Sequence, residues 1–188
     1  MASTNLTING YKHYNGGWSS WQTTQFYGGY SGATNYAAVL RFKTPNTTTY
    51  LAPFTFKITF PWVRQSSAQT SGTFTVYLFT LDPTGTYTPS TISSSTIHKA
   101  TGTASWSSTD LSIHYTTVTI TLNSGSISAN SNIYFWIANS VNFLQIGYGT
   151  LNASNYTNTN EYNEGAISIY TNSGWQKAIP YVYTNSGW

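Results

Sequence analysis

Residues 54–60 read FTFKITF. Phe54, Phe56, Ile58 and Phe60 alternate with Thr55, Lys57 and Thr59, and a period of two is the pattern of a half-buried β-strand. The same period recurs along the chain. In TFTVYLFTL (73–81), Phe74, Val76 and Leu78 share one face and Tyr77, Phe79 and Leu81 the other. In YTTVTITL (115–122), Val118, Ile120 and Leu122 alternate with Thr117, Thr119 and Thr121; β-branched hydroxyl residues suit the outer side of a pleat. Further strands are expected at 4–9, 36–43, 96–99, 133–138, 143–148, 166–170 and 180–183. Turn signals such as Thr44-Pro45-Asn46, Asp82-Pro83-Thr84-Gly85 and Asn123-Ser124-Gly125 separate them. No segment joins a helical repeat to helix caps. About ten short strands predict an all-β fold, an antiparallel β-sandwich of jelly-roll type with Trp136 in its core. Long loops are expected at 16–35, 61–72 and 84–114.

The chain divides into four stretches: an aromatic and Gly-rich N-terminal segment (1–35), the sandwich core (36–151), an Asn-rich loop (152–165) and C-terminal strands (166–188). The last stretch holds an exact repeat with a period of 13, Tyr170-Thr171-Asn172-Ser173-Gly174-Trp175 and Tyr183-Thr184-Asn185-Ser186-Gly187-Trp188. The Asn-Ser-Gly turn is expected to fold the chain back and set Trp beside Tyr. Tyr170, Trp175, Tyr183 and Trp188 thus form a short aromatic tail suited to assembly.

Charge narrows the chemistry. Only 6% of the 188 residues are charged, whereas Ser, Thr and Asn together supply 73. The seven Lys and Arg and four Asp and Glu give a net charge of +3. The cations are scattered, so no phosphate-neutralising cluster forms and no nucleic-acid partner is expected. Without Cys, disulfides and thiolate metal sites are excluded. No apolar run approaches the roughly 20 residues that span a bilayer, so no membrane insertion is expected. The N-terminus lacks the basic and apolar regions of a signal peptide.

The four acids are Asp82, Asp110, Glu161 and Glu164. A glycosidase needs two carboxylates across a sugar ring. Asp82 and Asp110 stand in turn contexts, and Glu161 and Glu164 in the Asn-rich stretch. His13, His98 and His114 have no close ligand spacing, and no Gly-x-Ser-x-Gly elbow is present. The expectation is a non-enzymatic protein with no cofactor and no metal site. Sugar binding has more physical support. Trp18, Trp21, Tyr27 and Tyr30, with Trp62 or Trp106, offer rings for stacking amid Asn, Ser and Thr hydrogen-bonding groups. The competing reading is that these rings pack the sandwich or a subunit interface.

The order of Tyr36-Ala-Ala-Val-Leu-Arg-Phe-Lys-Thr-Pro45, FTFKITF, Leu81-Asp82-Pro83, YTTVTITL and IYFWIA (133–138) resembles β-sandwich structural proteins of tailed bacteriophages. The C-terminal stretch from Ala178 through Pro180-Tyr181-Val182-Tyr183 to Trp188 is similar to the aromatic-Asn-Gly-Trp repeats that end such proteins. The resemblance covers residues 36–188. It implies a virion component (a tail, collar, head-fibre or decoration protein) with copies of itself and other virion proteins as partners. Fibre analogy alone implies a trimer. It carries no catalytic residue onto this chain. The alternative function is a carbohydrate-binding module or adhesin that recognises a bacterial surface glycan.

Overall fold

The computed structural model describes the backbone of residues 3–23, 25–27, 36–46, 49–65, 67–92, 98–141, 144–150, 157–161, 167–171 and 174–178, and the side chains of 6–23, 37–46, 49–65, 67–92, 98–141 and 144–147. In chain order the strands are β1 (Ser3–Asn5), β2 (Thr7–Asn15), β3 (Gln25–Tyr27), β4 (Tyr36–Lys43), β5 (Tyr50–Leu51), β6 (Phe54–Arg64), β7 (Ser71–Phe79), β8 (Ala100–Ser107), β9 (Ile113–Leu122), β10 (Ser126–Ile127), β11 (Asn132–Asn139), β12 (Leu144–Ile146), β13 (Tyr148–Thr150), β14 (Thr157–Glu161), β15 (Ile167–Thr171) and β16 (Gly174–Ala178).

The alternation of 54–60 puts β6 at the middle of one sheet. β9 pairs along one side of it, and β14 and β12 share the other, with β1 beyond β14. The facing sheet runs β2-β4-β11-β7-β8. Between β4 and β12 the long strands switch sheets at each connection except β7 to β8. The resulting orders, β1-β14-β6-β9 against β4-β11-β7-β8, are those of a jelly roll, with β2 added beside β4. The all-β antiparallel sandwich is therefore the observed architecture.

The inward rows close the core. Phe54, Phe56, Ile58, Phe60 and Trp62 from β6 and Val118, Ile120 and Leu122 from β9 meet Leu40, Phe42, Phe74, Val76, Leu78, Ile133, Phe135 and Ile137. Edge-to-face pairs interlock the sheets, with Phe56–Phe135 centroids 5.7 Å apart and Phe60–Phe74 5.0 Å. A second apolar layer covers the outside of the facing sheet. Ala37, Val39, Phe79, Tyr134 and Trp136 are buried there, with Trp18, Trp21 and Tyr87 packed against them. Strands β4 and β11 are thus apolar on both faces, which explains the unbroken runs AAVL and IYFWIA.

Several boundaries differ from the expectation. The stretch 84–114 is no simple loop, because it contains β8. There Gly102, Ala104 and Trp106 face inward and Thr101, Thr103 and Ser105 outward, an alternation muted by small residues. The small size has a cause: a Cβ at Gly102 would lie 2.2 Å from the Thr119 carbonyl oxygen of β9. The Asn-rich stretch also holds a strand, β14, whose Thr157–Glu161 pairs with Thr55–Thr59. Main-chain bonding needs no apolar side chains, so composition hid it. Strand β6 continues past Phe60 through Pro61 and Trp62, because Pro61 and Val63 find partners in Tyr115 and Ile113 of β9. Residues 4–9 split at Leu6 between the two sheets. Residues 143–148 break at Gly147, whose φ of 83° suits glycine. His98 and Lys99 precede β8 instead of forming a strand of their own, and 180–183 lie outside the described residues.

Uncharged edges attract other chains, and two edges here are guarded from within. The outer edge of β2 exchanges hydrogen bonds with Gln22 (Tyr11 N to Gln22 O and the reverse, both 2.8 Å), and Ser19 N donates to His13 O. The outer edge of β9 is approached by β8 at Gly102. Replacing Gly102 with Ala should therefore force β8 and β9 apart and cost about 1–3 kcal/mol, as overpacking does. Urea unfolding measures this, and an unchanged midpoint would show that the approach is not tight.

Candidate functional site

The candidate sugar platform is largely engaged by the protein itself. Trp18 packs edge-to-face on Trp136 with centroids 4.9 Å apart, and its Nε1 donates to the Tyr87 carbonyl at 2.9 Å. Trp21 leans on Tyr134, and its Nε1 donates to Asp82 Oδ2 at 3.1 Å. The Arg41 guanidinium lies 4.4 Å from the Trp21 ring centroid and Lys12 Nζ 5.0 Å, both within cation–π range. Trp62 and Trp106 are buried and pack at a tilt with centroids 4.8 Å apart, each with its indole N–H bonded, to Thr116 Oγ1 and Asn139 Oδ1. Tyr27 lies in β3, paired by backbone with Tyr148 of β13. The Tyr27 side chain and all of Tyr30 fall outside the described residues. In the tail, Tyr170 and Trp175 are register partners across the β15–β16 hairpin. Their side chains, and all of Tyr183 and Trp188, lie outside the described residues.

The acids serve turns. Asp82 caps the short 3-10 turn at Pro83–Gly85, its Oδ1 accepting from Thr84 N and Oγ1. Burial works to raise its pKa. Hydrogen bonds from Thr84 and Trp21 and the charge of Lys12 outweigh that and hold it below the ordinary range. Glu161 lies in β14 with its side chain outside the described residues, as is all of Glu164.

A second polar cluster, which sequence reasoning did not assemble, closes the β8–β9 turn. His114 Nε2 sits 2.8 Å from Asp110 Oδ1, 2.9 Å from Ser108 Oγ and 3.4 Å from Ser112 Oγ. Asp110 Oδ1 also accepts from Ser112 N and Oγ. The buried Arg64 donates to the carbonyls of Ser108 and Asp110 from beneath, and the His114 ring stacks on Trp62 at 4.8 Å. The residue types are those of a Ser-His-Asp triad, but the geometry is not. In a triad the carboxylate and the nucleophile occupy opposite ring nitrogens, so that one proton relay passes through the ring. Here both crowd the same nitrogen. This arrangement clasps a turn.

Sequence spacing did carry this cluster. Ser108, Asp110, Ser112 and His114 alternate with Leu111, Ile113 and Tyr115. The outcome inverts the usual burial. Ser108 and His114 turn inward towards Arg64 and Trp62, Asp110 and Ser112 stay at the surface, and Leu111, Ile113 and Tyr115 stand 58%, 43% and 56% exposed. Beyond them on the same face, Thr117 and Thr119 are exposed, and Thr117 Oγ1 bonds Thr59 Oγ1 at 2.7 Å.

The three histidines sit apart, on β2, ahead of β8 and on β9. Among the described residues no group of three or more His, Asp or Glu side chains gathers as a metal site would.

Two predictions follow from these contacts. Hydrogen bonds from the Ser112 side chain, the Ser112 backbone and His114 hold the Asp110 carboxyl from its ordinary 3.8 down to about 2. A depressed folded-state pKa contributes stability that is complete above 3.8 and lost as pH falls towards 2. Asp110→Asn should flatten that part of the melting-temperature profile, and a profile parallel to the parent would contradict the clasp. Trp18→Ala should lose about 2–4 kcal/mol in chemical denaturation, because it uncovers Trp136; a loss below about 0.5 kcal/mol would mean the ring is not needed for packing.

No protein-family model and no curated protein matches the chain. Among solved structures, an arabinose-bound α-L-arabinofuranosidase of the GH51 type shows a limited likeness. It has a TM-score of 0.39 and 12% identity, over 74% of this chain and 21% of that one. The chain thus spans about a fifth of that protein's length.

Proposed function

We propose that this protein is a non-enzymatic structural component of a bacteriophage virion that works through surface contact with copies of itself and with other virion proteins. The virion setting follows from the phage-protein resemblance over 36–188. The contact reading is carried by one observation: Leu111, Ile113 and Tyr115 are offered to solvent at and just before the start of β9, while Ser108 and His114 are the neighbours that turn inward. A row of three large exposed apolar side chains is poorly suited to water and well suited to a partner. It continues into the uncharged Thr117 and Thr119, with Lys57 of β6 across from Thr119 as a charge on the same face. The β15–β16 hairpin of the tail adds a second element for docking.

Tyr115 also supports the second reading, a glycan-binding module, since a half-exposed ring flanked by Thr117 and Thr119 hydroxyls suits a pyranose. A glycan array separates the two: specific signal that disappears in Tyr115→Ala favours the glycan.

Changing Ile113 and Tyr115 together to Lys should leave unfolding within about 0.5 kcal/mol of the parent, as exposed sites do. It should weaken self-association in sedimentation equilibrium by at least about tenfold, a change of about 1.4 kcal/mol. Removing residues 176–188 should lower incorporation into particles. Self-association and incorporation that survive both changes would refute the assembly role.

A further inference from the structure

At the end of the sandwich opposite the β8–β9 turn lies a cleft of about 550 Å³, a size typical of small-ligand sites. Leu81 forms its apolar side, next to the buried Phe79, and His98, Lys99 and Ser124 its polar side. Leu81 is 76% exposed, although large and aliphatic.

The polar side is rich in donors and has no acid. Lys99 donates its backbone N–H to the Leu78 carbonyl, while its ammonium has no hydrogen bond or ion pair among the described residues. His98 packs edge-on against Tyr77 at 5.2 Å and against Phe79 at 6.3 Å, which leaves its Nδ1 buried without a partner. Burying a bare lone pair there costs less than burying an unsatisfied N–H, so the neutral ring carries its proton on Nε2. The Ser124 hydroxyl adds a further donor. The described carboxylates cannot answer these groups. Both oxygens of Asp82 are taken by Thr84 and Trp21. Asp110 stands at the far end of β9, a ten-residue strand of about 33 Å.

The geometry points to a binding site for an oxyanion carried on a sugar-sized body, with the anion against Lys99, His98 and Ser124 and the body against Leu81. Carboxylate and phosphate present the same acceptor chemistry, and acidic sugars and sugar phosphates both fit the volume. The site lies away from the Leu111–Tyr115 strip, so it stands or falls separately from self-association.

The test is an NMR titration of the intact chain with D-glucuronate, with D-glucose 1-phosphate and with D-glucose as the neutral control. Saturable shifts at His98, Lys99 and Ser124 are expected for at least one anion and absent for glucose. The anion that saturates first identifies the source as carboxylate or phosphate. Lys99→Ala should weaken that binding by at least about tenfold, as loss of a charged hydrogen-bond partner does, while Lys99→Arg retains it. Lys99 is exposed, and an unchanged melting temperature shows that each variant is folded. Glucose binding as well as the anions, equal affinity in Lys99→Ala, or no saturable shift with either anion would overturn the assignment.

Discussion

The inward row of β6 is the interaction on which the other elements depend. Phe54, Phe56, Ile58, Phe60 and Trp62 are all buried, and each such side chain contributes on the order of 1.5–3 kcal/mol when removed from water. Because β6 is paired on both sides, its register sets that of its neighbours. A one-residue slip of β9 would drive Val118, Ile120 and Leu122 into solvent and bring Thr117, Thr119 and Thr121 into the core. The register that avoids this has a consequence some eight residues upstream. It puts His114 on the Trp62 side and leaves Ile113 and Tyr115 outside. The exposed apolar strip is therefore imposed by the core.

A chain with so few charges must neutralise those it has by other means. Arg41 is held by Asn9, through both the side chain and the backbone carbonyl, and lies over Trp21. Arg64 is bonded by main-chain carbonyls. Lys12 donates to Thr84. Hydroxyls tie loops in the same way: Thr44 Oγ1 donates to carbonyls of Ser128 and Ser131 and accepts from Ser131 N. Bonds of this kind depend on geometry more than on ionic strength.

Strands with an apolar row were legible in the sequence. Strand β4 falls on 36–43, β11 covers the apolar run 133–138, and the latter part of β9 lies where alternation put it. What escaped was structure carried without apolar side chains. Strand β8 is written in Gly, Ala and Thr, because β9 passes too close for anything larger at Gly102. Strand β14 is written in Thr and Asn, because only its main chain is needed. The site was legible in part. Trp18 and Trp21 are legible as part of an aromatic group in segment 1–35, and their partners Trp136, Tyr134 and Tyr87 emerge only when the chain folds back over the facing sheet. The His114 clasp escaped because 108–114 was read as a loop, although its residues alternate.

The two sheets treat their outer faces differently. The facing sheet is sealed by its own chain: Trp18 and Trp21 lie over Trp136 and Tyr134, and both indole N–H groups are bonded within the protein. Sealing consumes the rings that would otherwise be available for stacking on a ligand. The β9 side of the other sheet has no such cover among the described residues, and its outward row runs Leu111, Ile113, Tyr115, Thr117, Thr119. A chain that packs its described tryptophans against itself and leaves an aliphatic and tyrosine strip open distributes its apolar surface unevenly. That asymmetry is what the proposed contact through one face rests on, while Trp18 and Trp21 complete the facing sheet.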